Sequence, residues 1–118
     1  MEPYIIYHNP RCSKSRQTLS ILDENDVNIK IIKYLVDPPT AKELNNISKK
    51  LGVPPMDFIR KNEAEFTELG LNQYNDSDSK LCEIMSKNPK LIERPIVIKG
   101  ERAVIGRPPE NVMELFEK

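Results

Sequence analysis

The order of element types along the chain constrains its fold most strongly. A short β-branched and aromatic run at residues 3–7 precedes residues 15–24, where apolar side chains recur at helical spacing. A second strand-like run follows at residues 27–35. Two strands joined by so short a helical connection are expected to be parallel, with a right-handed crossover. The N-terminal third therefore predicts a βαβ unit.

The middle of the chain has the sequence pattern of helices. Thr40 and Glu43 match a capping box, and the apolar face that follows them stops at Gly52. Further helical segments are predicted at residues 54–59, in part of residues 62–75, and at residues 77–87. We therefore expect a helical block spanning approximately residues 40–88.

The C-terminal part returns to strands. Residues 95–98 and 103–105 are apolar and flank a turn-rich link at residues 99–102, which predicts an antiparallel hairpin. A last helix is predicted over residues 110–116, directly after two prolines. With 118 residues the chain has the length of one domain. We expect a single α/β domain, 1–118, with the element order βαβ, helices, ββα.

Composition excludes several classes of protein. The chain is 38% hydrophobic and carries 18 basic and 18 acidic side chains, so it lacks the low hydrophobicity and high net charge of disordered chains. The balanced charge argues against a non-specific nucleic-acid binder, which needs a positive excess. Neither an export signal nor a membrane-spanning run is visible, so we expect a cytoplasmic protein that binds no nucleic acid and no membrane.

The predicted hairpin places two arginines together. Arg94 and Arg107 lie equally far before and after the centre of the turn, so in-register pairing sets them opposite each other. Two facing guanidiniums repel unless an anion lies between them, and their donors match the geometry of an oxyanion. The alternative is two solvated surface arginines, each with an acidic neighbour such as Glu93 or Glu110.

Cys12 lies just before the first turn of the first predicted helix. Unpaired backbone N–H groups and the positive end of the helix dipole favour a thiolate there, and Arg11, Lys14 and Arg16 add positive potential. The same amides form an anion site. The alternative is a semi-buried structural cysteine, because free cysteine is often a small buried apolar residue.

The residues around Cys12 leave their roles open. His8 either tunes the thiolate by charge or hydrogen bonding or has a plain structural role, since it is the one side chain here that titrates near neutrality without perturbation. Ser15 either donates a hydrogen bond to the sulfur or merely occupies the turn. Asn9-Pro10 is expected to shape the loop. Cys12, Cys82 and His8 are too few and too badly spaced for zinc, so we expect no metal.

Three separated motifs resemble one known family. Residues 7–16 (YHNPRCSKSR), 93–97 (ERPIV) and 105–109 (IGRPP) closely resemble the glutaredoxin-dependent arsenate reductase family, and the likeness extends over essentially the whole chain. This resemblance implies a thioredoxin-like fold, a four-stranded mixed sheet with an inserted helical block. In such a fold the strand beginning at Pro95 runs antiparallel to the first strand, so its start lies beside Cys12.

The resemblance also implies roles for individual residues. Cys12 matches the nucleophile of the family, and Arg60, Arg94 and Arg107 match its oxyanion-binding arginines. For Arg60 the resemblance is the only ground. Pro95 matches a proline that is expected to be cis, which few X-Pro bonds are.

The activity implied is arsenate reduction in arsenic detoxification, with no bound cofactor. The Cys12 thiolate attacks arsenate to give a covalent thiol-arsenate intermediate, glutathione acts as the reducing co-substrate, and glutaredoxin completes the reduction. Ser15 stands where a redox pair has its second thiol. Since a hydroxyl cannot form a disulfide, release of Cys12 is expected to come from glutathione.

Two other functions stay open. One is a redox or transcription-regulating adaptor of the same fold that binds RNA polymerase; such relatives often carry a C-x-x-C pair, whereas this chain has C-S-K-S at residues 12–15. The other is a monothiol glutaredoxin-like thiol oxidoreductase, which C-x-x-S suits chemically. The absence of the C-x-x-C pair weakens the adaptor interpretation, and the arginine set favours an inorganic oxyanion over the monothiol enzyme.

Overall fold

The computed structural model of the protein describes residues 2–74 and 77–116. The chain divides into two compact units, one formed by Met1–Asp37 with Arg94–Lys118 and the other by Pro38–Glu93. We call them the sheet unit and the helical unit.

The sheet unit contains one mixed sheet. Its strands are β1 (Tyr4–Tyr7), β2 (Ile29–Ile32), β3 (Ile96–Lys99) and β4 (Arg102–Ile105). Their order is β2-β1-β3-β4, with β2 parallel to β1 and both other pairs antiparallel. This is the four-stranded α/β sheet of a thioredoxin-like fold, so the predicted fold class is confirmed.

The core of this unit lies between the sheet and the helices that pack on it. Helix α1 spans Ser13–Glu24, and a 3₁₀ helix spans Pro109–Phe116 near the C-terminus. Both contribute to one cluster of buried side chains: Tyr4, Ile6, Leu22, Val97, Val112 and Leu115. Strand residues two apart face the same side of a sheet, which is why Tyr4 and Ile6 enter the core together.

The second strand is shorter than the sequence predicts. The apolar run at residues 27–35 forms a strand only over Ile29–Ile32. The backbone N–H groups of Val36 and Asp37 both donate to the carbonyl oxygen of Lys33, at 3.0 and 2.9 Å. The chain therefore turns directly after β2, in a segment without glycine or proline to indicate a turn.

The hairpin turn is tighter than predicted. Lys99 pairs with Arg102, so the strands run past the expected four-residue link and leave only Gly100 and Glu101 between them. Gly100 has φ 60°, a conformation that glycine adopts without steric cost and that two-residue hairpins require. The centre of the turn is the one predicted.

The helical unit contains α2 (Ala41–Leu51), α3 (Ala64–Glu68) and α4 (Asp78–Lys87), with 3₁₀ helices at Pro55–Phe58, Leu71–Tyr74 and Pro89–Leu91. The predicted segment at residues 62–75 thus contains two short helices, and its last residue lies outside the described part. Within residues 2–74 and 77–116, no helix is long and apolar enough to cross a membrane.

Candidate active site

A short loop carries the chain from β1 to α1 and places Cys12 at the N-cap of the helix. The Cys12 N–H donates to the carbonyl oxygen of Asn9 at 3.0 Å, and the Cys12 carbonyl accepts the first helical hydrogen bond from Arg16. Asn9 Oδ1 accepts from the Arg11 N–H at 3.0 Å, so this residue shapes the loop as predicted. The thiol thereby comes to lie at the open end of the helix.

The environment of Cys12 favours the thiolate. Burial raises the pKa of the thiol, but the backbone N–H of Ser15, the Arg94 side chain through a hydrogen bond and its charge, and the backbone N–H of Lys14 together lower this pKa below its ordinary value. The first turn of α1, all of it described, contains no acidic residue that would oppose this shift. The buried Cys12 thiol therefore loses its proton more readily than an ordinary cysteine.

The hairpin brings Arg94 and Arg107 to the sulfur. Tyr7 pairs with Ile96, so the start of β3 lies beside the end of β1. Arg107 Nε donates to the carbonyl oxygen of Arg94 at 2.8 Å, and Arg107 Nη2 donates to Cys12 Sγ at 3.8 Å. Two guanidiniums, helix amides and a nucleophilic sulfur therefore meet at one place, which is what binding and attack of an oxyanion require.

Arg60 belongs to the helical unit. Its backbone N–H donates to the carbonyl oxygen of Leu91 at 2.7 Å, beside an isolated β-bridge between Ile59 and Ile92. Its Nη1 atom is buried and has no hydrogen-bond partner among the described residues. An oxyanion-binding role for Arg60 stays a prediction.

Ser15 contacts the sulfur through its backbone and contacts the loop through its side chain. Ser15 Oγ lies 2.7 Å from His8 Nδ1 and accepts a hydrogen bond from the Asn9 N–H at 3.0 Å. The hydroxyl is thus engaged away from Cys12. The N–H of the same residue is among the donors that lower the thiol pKa.

His8 is buried behind the helix N-terminus. Burial lowers the pKa of His8, and the positive charges of Lys33 and Arg16 lower it further. The imidazole is therefore neutral near pH 7, and its contact with the site passes through Ser15. That His8 tunes the thiolate stays a prediction.

The peptide bond between Arg94 and Pro95 is cis, as the resemblance implied, and the bond between Arg107 and Pro108 is cis as well. The second was not predicted. The carbonyl oxygen of Pro95 accepts a hydrogen bond from the Gly106 N–H at 2.8 Å. This bond continues the pairing of β3 and β4 to the residues that adjoin the two arginines.

Sequence reasoning missed a residue that holds the Arg107 backbone. Asn111 Nδ2 donates to the carbonyl oxygens of Ile105 and Arg107, at 3.1 and 3.0 Å. The available indication was position, because asparagine near the start of a helix commonly hydrogen-bonds to nearby backbone groups.

Cys82 shares with Cys12 burial and a free thiol, but the groups around its sulfur act in the opposite direction. It lies within α4, is 1% exposed, and forms no disulfide. Burial raises the pKa of Cys82, and the negative charge of Asp78 raises it further. Over the described ranges, no three His, Cys, Asp or Glu residues come together as a metal site.

Comparison with known proteins gives a consistent result. The model of the ArsC family matches residues 7–115. The chain is 43% identical over 113 residues to the arsenate reductase of Haemophilus influenzae, covering 95% of this chain and 97% of that protein. It is 46% identical over 111 residues to the uncharacterized protein YfgD of Escherichia coli (strain K12), covering 93% of each.

A solved structure agrees with these relatives. The arsenate reductase from Vibrio cholerae superposes with a TM-score of 0.91 at 42% identity, over 96% of this chain and 97% of that one. The likeness therefore covers nearly the full length of both chains.

Proposed function

Because the chain belongs to the ArsC family, we propose that it is an arsenate reductase, which converts arsenate to arsenite with electrons from glutathione and glutaredoxin. The observation that carries this proposal is the meeting of Cys12 Sγ with the first-turn amides of α1 and with Arg94 and Arg107. Its closely similar relatives include proteins named arsenate reductase.

In the first step the oxyanion binds beside the sulfur. Arg94 and Arg107 neutralise its charge, and we assign the same function to Arg60 from the family motif. The Cys12 thiolate then attacks arsenic, so that a sulfur–arsenic bond forms and one arsenic–oxygen bond breaks, the oxygen leaving as water. The protein contributes charge stabilisation and placement.

In the second step a thiol from outside supplies the reducing electrons. Glutathione forms a disulfide with Cys12, and arsenic leaves as arsenite. In sum, arsenate and two thiols give arsenite, one disulfide and water: arsenic gains two electrons, and each sulfur loses one. Glutaredoxin then reduces the mixed disulfide and regenerates Cys12.

An external thiol is required because the position of a resolving cysteine is filled by Ser15, whose hydroxyl is engaged with His8. The chemistry requires a reducing compartment, so a cytoplasmic location stays our prediction. His8, Ser15 and Pro95 are supporting residues in this proposal.

A monothiol oxidoreductase acting on glutathione mixed disulfides is the second candidate, favoured by the C-S-K-S segment at residues 12–15. The two arginines at the sulfur favour a compact inorganic oxyanion over such a substrate. It would reduce a small glutathione mixed disulfide without arsenate, whereas an arsenate reductase consumes reductant only when arsenate is present. An adaptor for RNA polymerase would do neither.

A coupled assay tests the proposal. The purified protein is mixed with arsenate, glutathione, glutaredoxin, glutathione reductase and NADPH, and NADPH oxidation is followed. We expect oxidation that depends on arsenate and is absent with phosphate, which fits the same site but is not reduced by thiols. Oxidation that proceeds equally without arsenate, or none at all, would contradict the assignment.

A further inference from the structure

We propose that Gly106 is a positioning residue for the oxyanion site: the absence of a side chain there lets residues 105–107 lie against α1, so that Arg107 reaches Cys12. This inference rests on one part of the proposed function, the binding of an oxyanion beside Cys12, and does not depend on whether arsenate is reduced.

The space around Gly106 is already occupied. A Cβ atom at this position would lie 2.5 Å from Thr18 Oγ1, 3.1 Å from Thr18 Cγ2 and 2.8 Å from Pro95 Cγ. Real Cβ atoms do not approach neighbours within 3.0 Å, so something must move. The backbone of Gly106 is not in the left-handed region, unlike that of Gly52, Gly70 and Gly100. Space, and not backbone conformation, is therefore what requires glycine here.

The neighbours of Gly106 are held in place. Thr18 is fully buried, and its Oγ1 donates to the carbonyl oxygen of Lys14 at 2.8 Å while lying 3.5 Å from that of Gly106. Pro95 is a rigid ring whose carbonyl accepts the Gly106 N–H at 2.8 Å. An added methyl group must therefore displace the backbone of residues 105–107, because close-packed interiors transmit such strain.

The contact between Gly106 and Thr18 joins α1, which provides amide donors to Cys12, to the end of the hairpin that carries Arg107. Thr18 lies one helical turn after Lys14, whose N–H is among the donors to Cys12 Sγ. Gly106 directly precedes Arg107, whose Nη2 lies 3.8 Å from the same sulfur. The distance from guanidinium to nucleophile is thus set by how closely this backbone approaches the helix.

Asn111 restrains the same segment through hydrogen bonds. Its Nδ2 donates to the carbonyl oxygens of Ile105 and Arg107, at 3.1 and 3.0 Å, one on each side of Gly106. Packing against Thr18 and hydrogen bonding to Asn111 are independent restraints, so each can be removed separately.

The test compares Gly106→Ala, Thr18→Ala and the double variant. Two readouts are used: kcat/KM for arsenate, and the phosphate concentration that half-protects Cys12 from iodoacetamide. For Gly106→Ala we expect that concentration to rise about tenfold and kcat/KM to fall about tenfold, since small misplacements at a site are costly. The double variant should recover part of both losses, because Thr18→Ala removes two of the three close contacts. Thr18→Ala alone should weaken both readouts less than Gly106→Ala does, because it removes one restraint on residues 105–107 without forcing them away from α1.

Gly52→Ala is the matched control. A Cβ there meets nothing within 4 Å, but φ is 75°, so alanine strains the C-cap of α2 and lowers stability without touching the sheet unit. We expect wild-type phosphate protection and arsenate kinetics from it. A Gly106→Ala protein with wild-type values, or a double variant no better than the single one, would overturn the proposal.

Further outcomes separate this inference from the proposed function. If Gly106→Ala does not fold, Asn111→Ala replaces it, with an expected loss of about threefold in phosphate protection, and no loss would overturn the inference. If phosphate protects Cys12 in a manner that depends on Gly106 but arsenate is not reduced, the inference holds and the proposed function fails. If neither anion protects wild-type Cys12, the inference is overturned.

Discussion

The N-termini of α1 and α2 use the same backbone feature for opposite purposes. At α2, Thr40 Oγ1 accepts from the Glu43 N–H at 3.1 Å and the Glu43 carboxylate accepts from the Thr40 N–H at 2.9 Å, so the helix satisfies its own donors. At α1, Cys12 provides no side-chain cap. The amides of Ser15 and Lys14 are directed at its sulfur instead. At α1 the first-turn amides are thus left for the Cys12 sulfur, because no capping oxygen accepts from them.

The two cysteines likewise differ in whether the groups around them stabilise a negative charge. Both are buried, and burial alone raises the pKa of each thiol. At Cys12, amide donors and Arg94 outweigh the effect of burial and lower the thiol pKa. At Cys82, the negative charge of Asp78 raises the thiol pKa further. Burial therefore does not decide whether a cysteine is inert; the charges and donors around the sulfur do.

The largest effect on activity is expected from replacing the two cysteines one at a time. Cys12→Ser should abolish arsenate turnover, because a serine hydroxyl is not ionised at neutral pH and cannot form the disulfide. Cys82→Ser should retain turnover, and mass spectrometry of the oxidised protein should show a glutathione adduct on Cys12. A disulfide between Cys12 and Cys82 during turnover, together with an inactive Cys82→Ser protein, would replace this account with an internal relay.

The next effect concerns the hairpin arginines. Arg94→Ala and Arg107→Ala should each lower kcat/KM for arsenate about 10²-fold, the usual cost of removing one donor to developing charge. Lysine at either position should restore activity only partly, because it lacks the planar fork of donors. Arg102→Ala serves as the control, since Arg102 lies at the turn end of the same hairpin. Full activity in both alanine variants would remove these arginines from the mechanism.

The smallest effect is expected at the self-capped helix. Thr40→Ala should lower the free energy of unfolding by about 1 kcal/mol, because the capping box is lost. Arsenate kinetics and the reactivity of Cys12 should not change. Urea unfolding and alkylation of the same preparation measure both quantities. A change in Cys12 reactivity would show that the two N-termini are not independent.

Two parts of this site, the pairing of the arginines and the place of Cys12, were predictable from residue spacing alone. The positions of Arg94 and Arg107 relative to the turn centre fixed their pairing, and the apolar spacing placed Cys12 at the start of α1. These inferences need only the period of a strand and of a helix.

Other parts depend on contacts that no local pattern records. The hydroxyl of Ser15 takes His8 and Asn9 as partners because of its rotamer and the path of the loop. The close approach of Gly106 to Thr18 joins residues 88 positions apart. Tertiary packing decides both, so sequence reasoning left the first open and missed the second.

The central claim is that the N-terminus of α1 and Arg94 lower the pKa of the Cys12 thiol, and one measurement tests it most directly. The rate of iodoacetamide alkylation of Cys12 is followed against pH in Cys82→Ser protein, folded and unfolded in urea. Because the pKa of Cys12 is lowered in the folded state, the folded protein should remain reactive at pH values where the unfolded chain has become protonated and slow. Coincident midpoints for the folded and unfolded protein would contradict the account.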